Sequence, residues 1–291
     1  MAILKAEEGQ HKNLILENIQ DLIDLYEPTD GDRYGRIRRG SNNIVFTGIQ
    51  NGEKENLSSR LRQKRQTQRP FNPKDETECL GDFQMYGQLH EPRLKDLKEE
   101  EDIWEIMAIA QHYRVPTRLL DWSWSPLVAL HFATSRVKID DEEGNPAVVW
   151  AINIDDVNEL LPEDFHHLVN RHRLKIFTYD DLKAASPSLK TIHDYESNAE
   201  DSFIFLQPSC SDQRIFTQAS VFSIMRNAFD PLDEFLQNQR SDVIRSWKFT
   251  IPWEKVKEIR DQLDMMFINE RTMYPGLPGL GDLMSRRYFC D

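Results

Sequence analysis

The sequence predicts an α+β protein in which a helix-rich N-terminal half packs on a mixed or antiparallel sheet. Two observations carry this expectation. Helical patterns fill most of the first half, whereas β-branched and aromatic runs fill much of the second. The two kinds of element do not alternate regularly, which argues against a βαβ fold. The chain has 291 residues, and one domain spanning 1–291 is the simplest division of them.

Taken in order, Leu14, Ile15, Ile19, Leu22, Ile23 and Leu25 fall near helical spacing, so 11–27 reads as an amphipathic helix. Residues 28–43 crowd Pro, Gly, Asp and Asn and read as loop, so 1–42 is a lead-in of helix and loop. NIVFTGIQ (43–50) has strand character, and its Gly48 permits a sharp bend or a close backbone approach. A basic connector covers 51–75. A long helical region follows to about 114 and carries Ile103, Trp104, Ile106, Met107 and Ile109. Pro116 cannot continue it and pushes Val115 toward an extended shape. Ser125 and Pro126 read as the N-cap and first residue of another helix. After a turn at 138–146, AVVWAINI (147–154) is a strand by β-branched content. Residues 158–174 read as helix and loop. Strands are expected at 202–208, 213–224 and 246–252. An amphipathic helix at 253–268 and a Gly- and Pro-rich approach to a short terminal helix complete the chain.

The net charge of −13 argues against binding nucleic acid through the bulk field. Locally, SSRLRQKRQTQRP (58–70) concentrates positive charge, either as a solvated face or as a contact for phosphate or nucleic acid. Three scattered cysteines, Cys79, Cys210 and Cys290, argue against a disulfide framework and fit a reducing compartment. His166, His167 and His172 lie close together without carboxylates at ligand spacing, so no metal is expected. No apolar run approaches the roughly 20 residues that span a bilayer, and the first residues lack a signal-peptide core. A cytoplasmic protein without membrane contact is the expectation.

One stretch stands apart. AQHYRVPTRLLDWSWSPLVALHFA (110–133) is apolar and aromatic, yet Gln111, His112, Thr117, Arg118 and Asp121 are set into it. A buried Arg or Asp is costly unless paired. One reading is an Arg118–Asp121 clamp that holds the Pro-broken link, with Gln111 and His112 capping backbone groups. The other is a pocket floored by the link. Arg118 would there face an anion, His112 would act as an acid or base, and Trp122 or Trp124 would stack on a ring. Both readings stay open. Gln218, read as mid-strand and sharing a face with Arg214, Phe216 and Phe222, is a buried amide that needs partners and supports the pocket.

These residues carry a resemblance. The 110–133 stretch resembles the signature of the FRG domain family, roughly QHxGxPTRLLDWTxSPxxALxFA. VFTGIQ (45–50) stands where that family has Phe-Arg-Gly followed by Gln, QRIFTQASVFSI (213–224) where it has R-I-x-x-Q-x-G-x-F, and INERTMYPGLPGL resembles its closing segment. The likeness extends over about residues 15–288. Three departures are visible: Thr47 replaces the motif Arg, Arg114 replaces a Gly, and Ser220 replaces another. Arg36, Arg38 or Arg39 are the candidates to compensate for Thr47.

The order of these motifs is similar in outline to ADP-ribosyltransferase folds and so implies a split sheet. It also implies an NAD-using transferase or glycohydrolase of a bacterial toxin or phage-defence setting, with NAD as its ligand and a nucleic acid or protein as acceptor. On that mapping Gln218 and His112 are catalytic. Thr47, Gly48, Gln50, Thr117, Arg118, Asp121, Trp122, Trp124 and Arg214 bind substrate, with Arg118 near pyrophosphate and a tryptophan under nicotinamide. Two alternatives compete with this reading: a non-catalytic module for nucleotides or nucleic acid, and a metal-dependent nuclease using Asp121 and His112.

Overall fold

The chain forms β1 (His11–Ile15), α1 (Gln20–Ile23), β2 (Ile44–Ile49), α2 (Pro73–Gly87), α3 (Glu99–His112), β3 (Leu119–Ser123), α4 (Pro126–Thr134) and β4 (Ala147–Asn153). There follow α5 (Ile154–Asn158), α6 (Glu163–Val169), α7 (Tyr179–Ala185), β5 (Phe203–Leu206), α8 (Gln213–Thr217) and β6 (Ser220–Met225). The last elements are α9 (Leu232–Glu234), β7 (Ser246–Ile251), α10 (Trp253–Met265), α11 (Glu270–Met273) and α12 (Leu277–Phe289). The structure, a computed structural model, describes residues 11–23, 25, 43–50, 57–61, 73–135, 144–161, 163–171, 176–185, 203–208, 213–225, 231–239 and 243–289.

The expected α+β class holds. Seven strands join one sheet in the order β1-β7-β4-β2-β3-β6-β5. β1 runs parallel to β7 and the other neighbours are antiparallel, so the sheet is mixed. The analogy implied a split sheet, whereas all seven described strands belong to this one.

Side chains alternate across each strand, so the sheet has two faces. On the first, Ile44, Phe46, Val149, Ala151 and Phe249 pack under α4 and α10. On the same face Leu119, Phe222 and Ile224 pack under α3, and the Phe46–Ser123 pairing ties the two halves together. The second face buries Val45, Trp122, Val148, Trp150, Ile152, Val221, Phe203 and Phe205 against Leu57, Val157, Leu232 and Phe235. Each fully buried large apolar side chain contributes about 1.5–3 kcal/mol relative to exposure.

Gly48 explains how α4 comes so close. A Cβ there would lie 2.0 Å from the Ala129 carbonyl oxygen and 2.6 Å from the Ala133 nitrogen. The glycine expected at this position thus serves helix-on-strand packing.

Several elements differ from expectation. Residues 11–27 are not one helix: His11–Ile15 pairs with Ser246–Thr250 as an edge strand, and among the described residues of this range only Gln20–Ile23 is helical. The helical region from 76 is two helices, since Pro92 opens a short 3-10 turn at Pro92–Lys95 between them. The link 115–125 contains a strand, β3. Residues 213–224 divide into α8 and β6. The terminal helix α12 is 13 residues long and starts inside the Gly- and Pro-rich segment. Residues 36–39 and most of 58–70 lie outside the described residues. His166 and His167 sit on α6, while His172 also lies outside.

Candidate functional site

The end of α3 sets the site. His112 is the last helical residue, and Arg114 adopts a left-handed φ of 68°. The Val115 N–H donates to the Ala110 carbonyl and the Arg114 N–H to the Gln111 carbonyl, closing a Schellman-type C-terminus. Such a C′ position favours glycine, which accounts for the Gly in the resembled pattern. Gln111 is thereby turned toward β3. It accepts from the Thr117 hydroxyl at 2.8 Å and donates to an Asp121 carboxylate oxygen at 3.0 Å. Thr117 also accepts from the Leu119 N–H, so this relay fixes the start of β3.

Arg118 is not clamped to Asp121. It turns the other way and pairs with Glu76 of α2, its Nη2 lying 2.6 Å from Oε2 and its Nε 3.1 Å from both carboxylate oxygens. Both side chains are sealed, at 0% and 1% exposure. The reason is geometric. β3 alternates, so Asp121 can face Gln111 only from the strand, while Arg118 precedes it and reaches under α2. Asp121 is exposed.

Gln218 is not mid-strand. It lies in the turn between α8 and β6, before Ala219 with its φ of 45°. It is buried. Its Nε2 donates to the Met273 carbonyl at 2.9 Å, and its own carbonyl accepts from Ser123 Oγ at 2.7 Å. Because α8 is helical, the period-two face fails: Phe216 is 77% exposed and Phe222 is buried. Arg214 of α8 donates to the His112 carbonyl at 3.4 Å, and its guanidinium lies 4.8 Å from the ring centre of Tyr274.

These contacts form a closed circuit: Asp121 to Gln111, His112 to Arg214, Arg214 to Tyr274, Met273 to Gln218, Gln218 to Ser123, and back along β3. It brings together Gln111, His112, Thr117, Asp121, Arg214 and Gln218. It does not include the others. Thr47 and Trp122 belong to the opposite face. Trp122 is buried there, with Nε1 donating to Ser223 Oγ at 2.8 Å and its ring edge-on to Phe205. Trp124 borders that same second-face cluster, and its N–H donates to the Ala219 carbonyl. Gln50 donates to Ser135 Oγ at the end of α4.

Sequence reasoning missed Glu76, Tyr274 and a buried charge network behind Tyr274. His131 of α4 is fully buried, with Nδ1 3.0 Å from Arg260 Nη1. Arg260 and Arg286 share Glu270, and Arg286 also binds Asp264. Burial, aided by the Arg260 charge, pushes His131 down to about 4, so its imidazole is neutral. Arg286 is raised: its pairs with Glu270 and Asp264 outweigh burial, the largest single influence, which acts the other way. Arg260 could have been suspected. It sits four residues after Val256 and one after Ile259, on the apolar face of α10.

Residues 42–142 match the family model of the FRG domain. The chain carries an FRG domain. The match holds β2, α2, α3, β3 and α4, and with them Glu76, Gln111, Asp121 and Arg118. It stops short of Arg214, Gln218 and Tyr274, so the circuit draws on the FRG domain and on the chain beyond the match. No curated protein and no solved structure matches this chain. Among the described residues, no group of three or more His, Cys, Asp or Glu could hold a metal ion. No described helix is long and apolar enough to cross a membrane.

Chemically, the circuit offers an exposed carboxylate, a guanidinium over an aromatic ring, and a buried amide whose nitrogen is committed to Met273. A carboxylate in this setting can accept from hydroxyls, and a guanidinium can neutralise an oxyanion.

Proposed function

We propose that this FRG domain protein is an NAD-directed protein of ADP-ribosyltransferase type, with the Asp121–Arg214–Gln218 circuit as its site. The observation that carries the reading is strand order. The analogy rests on the order of the early motif strand, the link and the late glutamine segment, and β2, β3 and β6 are neighbours, with Gln218 in the turn that leads into β6. The contents of the circuit suit the ligand. Arg214 would meet a phosphate, Tyr274 offers an aromatic face, and Asp121 would orient a ribose hydroxyl. Cleavage of the glycosidic bond develops positive charge on the ribose, which a nearby carboxylate stabilises.

Incubation with NAD and cell lysate should release nicotinamide, and Asp121→Asn should slow release by about 10²-fold or more. Absence of release with every acceptor tried would overturn the transferase reading. A second reading, a non-catalytic nucleotide-binding module, is favoured by one observation: the late position holds Gln218, with its amide nitrogen already bound to Met273. It predicts saturable NAD binding by calorimetry, abolished by Arg214→Met, without nicotinamide release.

A further inference from the structure

The short helix α11 joins the C-terminal helices to the Asp121–Arg214–Gln218 circuit. Its first residue, Glu270, accepts from Arg260 of α10 at 3.0 Å and from Arg286 of α12 at 2.7 and 2.9 Å. Its backbone is clasped by α12: a Cβ at Gly279 would lie 2.4 Å from the Glu270 carbonyl oxygen and 2.0 Å from that of Tyr274. At the other end, the Met273 carbonyl accepts from Gln218 Nε2, and the Tyr274 ring carries the Arg214 guanidinium. A shift of Glu270 is therefore passed over one helical turn to the two groups that hold Gln218 and Arg214.

His131 stands behind this turn. Its ring centre lies 6.4 Å from that of Tyr274, and its Nδ1 is 3.0 Å from Arg260 Nη1. A guanidinium has no acceptor, so Arg260 donates and Nδ1 accepts. That places the imidazole proton on Nε2, which is buried without a partner among the described residues. The contact exists only while the ring is neutral. A protonated ring would set a donor against a donor and a third cation beside two guanidiniums that share two carboxylates.

We propose that α11 is a strap coupling His131 to the circuit: protonation of His131 drives Arg260 off its ring, shifts Glu270, and frees Gln218 from Met273 and Arg214 from Tyr274. Arg260 has somewhere to go, since its Nη2 already lies 4.0 Å from Asp264 Oδ1. The charged groups facing His131 are Arg260 and Asp264 of α10, Glu270 of α11 and Arg286 of α12. Asp261 of α10 acts on Arg260. The strands under α4 add nothing: β2 and β4 hold no ionisable side chain, and Asp121 of β3 is turned to Gln111. Burial and Arg260 keep His131 neutral down to about 4, so the strap is engaged at neutral pH and released by acid. That the strap governs a site rests on the reading of the circuit given above; the coupling itself does not need NAD.

The test is a pH titration of the full chain by NMR, following the His131 ring, the Gln218 side-chain amide and the Tyr274 ring, with far-UV circular dichroism recording that the chain stays folded. The Gln218 and Tyr274 resonances should shift at the His131 midpoint. Folded His131→Gln keeps an acceptor for Arg260 but takes up no proton, and should lose both shifts. Asp264→Asn removes an anion that favours the imidazolium, so it should lower the His131 midpoint and carry the other two down with it. Gln218 and Tyr274 resonances that stay fixed while His131 titrates, that shift equally in folded His131→Gln, or that keep their midpoint in Asp264→Asn would each overturn the proposal. So would unfolding before His131 titrates, because no folded released state would then exist. Nicotinamide release from NAD is measured at neutral pH on the same protein. Coupled shifts without release would overturn the NAD reading and leave the strap, whereas release without coupled shifts would overturn the strap alone.

Discussion

Two buried arginines anchor this protein in different ways. Arg118 has Glu76 as its carboxylate partner, in a pair closed to water. Arg260 shares Glu270 with Arg286, which also holds Asp264, and a neutral histidine completes its surroundings. The Arg118–Glu76 pair is one guanidinium closed with one carboxylate away from water, whereas the network spreads two guanidiniums over two carboxylates. The first therefore acts as a fixed pin between α2 and the start of β3. The second is an adjustable joint between α4 and the C-terminal helices α10, α11 and α12.

The largest expected effect breaks the pin. Glu76→Gln removes the carboxylate that the buried Arg118 holds at 2.6 Å and should cost about 3–5 kcal/mol, read from urea unfolding. Replacing both partners, Glu76→Met with Arg118→Met, removes the desolvation penalty along with the pair and should cost much less than the single change. A loss under about 1 kcal/mol for Glu76→Gln would mean that Arg118 is not dependent on this carboxylate, and the contrast with the network would fail.

The network has a pH signature that the pin lacks. His131 is held down to about 4 in the folded protein against 6.5 when unfolded, so between these values the unfolded chain binds more protons. Stability should fall as pH drops from 6.5 to about 4, by up to about 3 kcal/mol for this group. Glu270 is also lowered, by Arg286 and Arg260 acting against burial. Its stabilising contribution is present above its ordinary pKa and is lost at still lower pH, adding to the same trend. His131→Gln should flatten the slope between about pH 4 and 6.5 while leaving that below about 4. An unchanged slope would place the acid sensitivity elsewhere.

The comparison also shows what was legible in the sequence. The helix, Pro-broken link and Ser-Pro helix start of 110–133 could be read because Pro116, Ser125 and Pro126 are local signals. Of the two roles the sequence offers Gly48, a sharp bend or a close backbone approach, the contact with α4 is the second. β3 was hidden because Leu119–Ser123 shows no clean alternation and sits between two helical patterns. α8 was hidden because Gln213–Thr217 alternates well enough to pass for strand. The Glu76–Arg118 pair spans 42 residues. An acidic residue in the first turn of a helix is ordinary macrodipole chemistry, so nothing in Glu76 marked it as a partner. Arg118 and Asp121 are chemically unusual in their stretch, and of the two readings open for them the Arg118–Asp121 clamp is replaced by a pair with Glu76, 42 residues away.

The smallest effect is expected at Arg114, which ends α3 just before the pin. Its φ of 68° strains a residue with a Cβ by roughly 1–2 kcal/mol. Glycine relieves that strain but adds unfolded-state entropy, which offsets about 0.4–1 kcal/mol. The net gain for Arg114→Gly should therefore lie between about 0 and about 1.6 kcal/mol, read as a rise in Tm of a few degrees or less. Arg114 is exposed, so no packing is lost to confuse the result. The same variant sharpens the contrast between the two clusters. In the Glu76→Gln background the gain should be additive if the α3 terminus and the pin are independent, and larger than additive if relaxed backbone at 114 lets Arg118 find another acceptor.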